Sequence, residues 1–172
     1  EGFNVVRDDM MGFGSKCRFG DILVQNAPTD TLVYVQPRFG FAGISLAYLA
    51  AKYNKKLVLF MPSGKVISDH QAICIERGAI PKFRRIAAMP NLNKIAKEWA
   101  EENSATFIPL GLKHELVTAA AVKVAYDIAE KHGYPEEVWS AISTGVLQRS
   151  LQIAWPDAEF NAVAVSRNIK NG

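Results

Sequence analysis

Lys16 sits in the stretch Gly12-Phe-Gly-Ser-Lys-Cys-Arg-Phe-Gly20, with glycines at 12, 14 and 20. Most lysines are solvated surface residues. Two features set this one apart. The glycines let the backbone approach a ligand closely. The residues from Arg18 to Gln25 read as a helix, which places Lys16 beside its N-terminus. A lysine desolvated there has a depressed pKa and reacts with aldehydes as a neutral amine.

A second group is Ile142-Ser143-Thr144-Gly145, between a strand pattern and a helix pattern. Hydroxyls and free N–H groups at a helix start suit an anion. The same residues also read as a plain N-cap through Ser143 or Thr144. The third is Arg38-Phe39-Gly40-Phe41-Ala42-Gly43, again strand to helix. It reads either as a close approach to a ligand or as a tight turn with aromatic packing. It is not a GxGxxG fingerprint and has no acid at the right distance, which argues against a dinucleotide site. His114 stands beside a helix start and is a candidate cleft residue, set against a structural role; His70 and His132 read as solvated helix positions. Asp8 and Asp9 next to Arg7 suggest a local charge network. Metal-type spacings are absent.

The elements that must position these groups alternate. Strands are expected at 31–36, 56–61, 80–86, 106–108, 137–142 and 160–165. Helices are expected at 42–53, 68–77, 91–103, 115–131 and 146–154. Such alternation predicts an α/β fold with a doubly wound, mostly parallel sheet, and ligands beyond the carboxyl ends of its strands. The 172 residues fit one compact unit, with a small lobe of about residues 38–105 inserted in a larger lobe formed by 1–37 and 106–172.

The chain is 49% hydrophobic and 22% charged, enough for a core, and its net charge of +3 is spread out. That balance permits an anionic ligand without demanding nucleic acid. Cys17 and Cys74 read as reduced thiols of a cytoplasmic protein, with one disulfide between them as the alternative. There is no apolar run of about 18 residues and no signal-peptide pattern, so neither a membrane span nor secretion is expected.

Several segments occur in a familiar order. "VVRDDMMGFGSKCRFGDIL", "FGFAGISLAYLAAKYNKKLVLFMP", "IERGAIPKF", "LVTAAAVKVAYDIAEK" and "VWSAISTGVLQRSLQIAWPDAEFNAVAV" together resemble the fold-type-II pyridoxal-phosphate enzymes. That family includes cysteine synthase, the tryptophan synthase β chain, D-cysteine desulfhydrase and aminocyclopropane-carboxylate deaminase. The resemblance implies pyridoxal 5'-phosphate as cofactor and Lys16 as its Schiff-base lysine. It implies Ser143, Thr144 and Gly145 at the cofactor phosphate, and Gly40 and Phe41 beside the pyridine ring. Phe39, Ala42, Gly43 and His114 would face the substrate. The family's asparagine falls on Phe41 and its preceding serine on Phe39, so Phe41 would stack on the ring where a hydrogen bond is usual. Most members are near twice this length and dimeric, which implies a shortened chain and a homo-oligomer. The implied activity is elimination, deamination or decarboxylation at the α-carbon of an amino-acid-like substrate. A fold retained as a binding scaffold without catalysis is a second expectation. Compact relatives in bacteriophages accompany DNA-base hypermodification, which makes a modified nucleobase a third.

Overall fold

The computed structural model describes residues 3–86 and 88–165. They fall into two compact units that divide after Leu110. All strand pairings among the described residues are parallel. Among the described residues no helix is long and apolar enough to cross a membrane.

The first unit is organised by two apolar strands. β1 (Thr31–Val35) and β2 (Lys56–Pro62) carry near-continuous runs of β-branched and large apolar residues. Such runs belong to parallel strands buried on both faces. They pair in register, Val33 with Val58 and Val35 with Phe60. β3 (Ile80–Arg84) and β4 (Thr106–Phe107) complete the order β3-β2-β1-β4. Pro81 is tolerated in β3 because β3 is an edge strand. The strands on either side of segment 38–105 therefore pair with each other in one sheet.

Helices cover both faces. α4 (Met89–Glu102) lays Leu92, Ala96 and Ala100 on Val33, Val35, Val58 and Phe60. α2 (Ala42–Lys52) packs on β1 and β2 as well, and most of its residues are buried. α1 (Lys16–Gln25) packs on α2, where Asp21 accepts from Lys52 at 2.6 Å and from the Tyr53 hydroxyl at 2.7 Å. α3 (Asp69–Glu76) also packs on α2 and begins with a capping box between Ser68 and Gln71. The main departures from the sequence reading lie at helix starts. α4 begins two residues early, because Pro90 fits a first helical turn where no N–H is required. α1 begins at Lys16 itself.

The second unit holds α5 (Glu115–His132), β5 (Glu137–Ile142), α6 (Val146–Ala154) and β6 (Glu159–Ala164). β5 and β6 pair as a two-stranded sheet. The stripe Ala121, Ala125 and Ala129 lets α5 approach α6 closely, and Trp155 closes that core against Val138 and Phe160.

Replacing Phe60 with Ala should cost about 3–5 kcal/mol, the usual range for a buried aromatic. Ile80→Ala, on the half-exposed edge strand, should cost under about 1 kcal/mol. Urea denaturation of the two variants measures both.

Candidate functional site

The Lys16 turn is built from short-range bonds. Gly14 N–H donates to the Met11 carbonyl at 2.9 Å, and Cys17 N–H donates to the Gly14 carbonyl at 3.1 Å. Upstream, Asp8 pairs with Arg18 at 2.8 Å and Asp9 with Arg7 at 2.7 Å. The two acids are thus each engaged by an arginine. Lys16 is half-buried, and its amine has no ion-pair partner among the described residues. Burial without a counter-charge lowers its pKa below the ordinary lysine value. More of the amine is therefore neutral near pH 7 than in a solvated lysine.

The turn is held against the start of α2. The Ser45 hydroxyl reaches the carbonyls of Phe13 and Phe41. The Cys17 thiol points at the Phe13 carbonyl, 3.5 Å away, and the Ser45 carbonyl, 3.8 Å away. Phe13 stacks on Tyr48 at 4.1 Å between centroids, and the Arg77 guanidinium lies over its ring. A Cβ at Gly14 would lie 3.1 Å from that of Phe41. The structure thus brings the Lys16 turn into contact with the 39–43 loop.

That loop presents aromatic rings. Phe39 is 71% exposed and Phe41 57%. His70, at the start of α3, meets both edge-on, at 6.0 Å and 5.1 Å between centroids. His70 is half-buried in this cluster, not a solvated helix position. Its place depends on tertiary packing that no sequence period reports. Ala42 and Gly43 are buried in the first turn of α2. Gly40 has φ 137°, a conformation that favours glycine. The buried Gln36 spans the loop from below, another residue that the sequence reading passed over. Its Nε2 donates to the Gly40 carbonyl at 2.9 Å, and its Oε1 accepts from Gly43 N–H at 2.8 Å.

In the second unit, Gly145 is the N-cap of α6, in left-handed conformation, and makes no side-chain cap bond. Neither Ser143 nor Thr144 is the cap, which corrects the plain N-cap alternative. A chain that turns through left-handed φ just before the helix leaves both side chains outside the first turn. Both are exposed. Thr144 instead covers Gly111, where any Cβ would strike its side chain. His114 caps α5: its Nδ1 accepts from Leu116 N–H at 3.1 Å. It also lines an open groove of about 710 Å³ with Lys113, Lys123, Tyr126, Arg149 and Ile153.

Neither thiol is activated. Burial pushes Cys17 up and Cys74 up to about 11.

No family model matches the chain, and no curated protein does. Solved structures do. An aminocyclopropane-carboxylate (ACC) deaminase homologue superposes with TM-score 0.78 at 21% identity, over 94% of this chain and 55% of its own. The processed threonine deaminase isoform 2 of Solanum lycopersicum gives 0.78 at 14%, over 92% and 45%. A pyridoxal 5'-phosphate-dependent aspartate racemase gives 0.68 at 15%, over 86% and 46%. The chain has the fold of the fold-type-II pyridoxal-phosphate enzymes. It spans about half the length of these fold-type-II structures.

Cys74 is protonated in the folded protein up to about pH 11, against a reference thiol near 9. Folding therefore retains a proton that the unfolded chain loses above that reference value. Its stabilising effect is complete below about pH 9 and declines as pH rises toward 11. Melting temperature followed against pH should show this fall in the wild type and a shallower one in Cys74→Ala.

Proposed function

We propose that the chain is a pyridoxal-phosphate-dependent enzyme acting at the α-carbon of an amine or amino-acid-like substrate. The observation that carries this reading is Lys16: a half-buried amine with lowered pKa, unpaired among the described residues, in a chain of this fold. The residues fit the cofactor's aldehyde, which requires a neutral amine. Lys16 would hold that carbon. Phe41 offers an exposed ring at the loop position adjoining the Lys16 turn, suited to a flat heterocycle. By resemblance, the cofactor phosphate falls to Ser143, Thr144 and Gly145. The exposed hydroxyls and uncapped helix start there suit an anion.

When bound, the cofactor supplies an electron sink for a carbanion. The chain's own task is then proton handling. An amine whose pKa is brought toward neutrality both accepts and returns a proton at the α-carbon efficiently. Asp8 and Asp9 are occupied by Arg18 and Arg7, so neither is offered as the base. Both cysteines remain protonated, so neither is offered as a nucleophile. Elimination and deamination would use Lys16 to take the α-proton, whereas decarboxylation breaks the bond to the carboxylate, releases carbon dioxide and would use Lys16 only to return a proton to the α-carbon.

Titrating purified protein with pyridoxal 5'-phosphate tests the reading. The expected result is a cofactor absorbance band that is absent in Lys16→Ala, with borohydride fixing the cofactor to the peptide that contains Lys16. A spectrum unchanged by Lys16→Ala would overturn it in favour of a binding scaffold without catalysis.

A further inference from the structure

We propose that Gln36 is a positioning residue: its buried amide fixes the 39–43 loop and, through Phe41, the turn that carries Lys16. The functional weight of this inference rests on the reading of Lys16 given above, while its geometry does not.

Gln36 follows β1 directly. Its backbone N–H donates to the Phe60 carbonyl at 2.9 Å, which extends the β1–β2 ladder by one residue. Its side chain is fully buried. The amide is directional, with a donor toward Gly40 and an acceptor toward Gly43. An apolar side chain of the same size would fill the space yet leave the Gly40 carbonyl and the Gly43 N–H unpaired. The loop is also shaped around this amide. Its carbonyl occupies the volume that a Cβ on Gly43 would need, with the amide carbon only 2.9 Å from that point.

From the loop, contacts lead to the lysine. Phe41 abuts Gly14, and its carbonyl lies 3.1 Å from the Ser45 hydroxyl, which also reaches Phe13. Gly14 stands two residues before Lys16. The centre of the sheet is thus linked to the Lys16 turn through one side-chain amide and one aromatic residue. Disturbance at Gln36 therefore reaches residues 12–16 as well as 39–43.

Hydrogen exchange read by mass spectrometry on the cofactor-free chain tests this, using Gln36→Glu at about pH 5 and about pH 8. A neutral carboxylic acid keeps one donor and one acceptor, as glutamine does; a carboxylate keeps only acceptors. Burial raises the pKa of such a group, so the two pH values bracket its titration. Arg38, His70 and Cys74 are the other charged or titratable groups at the loop, and the wild type at both pH values controls for them.

The expected result is wild-type protection at the lower pH. At the higher pH, exchange should be on the order of tenfold faster in both 39–43 and 12–16, the scale of one lost buried hydrogen bond. Gln36→Met, which cannot titrate, should show the faster exchange at both pH values. Loosening confined to 39–43 would overturn the proposal. So would uniform loss of protection across residues 3–110 in both variants, which would make Gln36 a residue of global stability. Cofactor affinity should fall with the same pH dependence in Gln36→Glu relative to wild type. A wild type that binds no cofactor sinks the Lys16 reading and leaves the exchange result to decide Gln36.

Discussion

The first unit depends on the burial of β1 against β2. A parallel pair that is apolar on both faces cannot stand in water on either side. α4 must cover one face and α2 must lie on the pair as well. Once α2 is fixed there, its N-terminus and the loop before it are fixed too. The Lys16 turn then docks on that start through Ser45, Cys17 and Phe41. The placement of a reactive amine thus follows from where two hydrophobic strands bury themselves.

The electrostatics of the turn have a complementary logic. Three cations near it are already occupied: Arg7 and Arg18 by carboxylates, and Arg77 over the Phe13 ring. Lys16, by contrast, has no ion-pair partner among the described residues and lies partly out of water. A carboxylate beside it would have raised its pKa and kept it charged. Desolvation acts in the opposite direction, toward the neutral form that chemistry with an aldehyde requires.

Element types were largely legible from periodicity and composition. The apolar runs at 31–36 and 56–61 read as strands and the alanine-rich segments at 42–53 and 115–131 as helices, and the structure forms Thr31–Val35, Lys56–Pro62, Ala42–Lys52 and Glu115–His132 there. Helix starts were less so, because Pro90 and Lys16 stand where either a loop or a first turn satisfies the local chemistry. The Lys16 turn and the 39–43 loop were visible as glycine clusters. Gln36 and His70 were not. Gln36 bonds to backbone groups, which leave no trace in the sequence, and His70 meets its two phenylalanines across a distance of about thirty residues. The turn at 143–145 reads either as an anion site or as a helix cap through Ser143 or Thr144, and the left-handed φ of Gly145 puts the cap one or two positions later.

The Gln36 amide fills the volume beside Gly43, so the two positions are not independent in sequence space. While residue 36 keeps its amide, residue 43 is confined to glycine. A lineage that acquired a side chain at 43 would first have to shorten or reorient residue 36. Natural variation at these two sites should therefore be paired, and a designer who enlarges one must change the other in the same step.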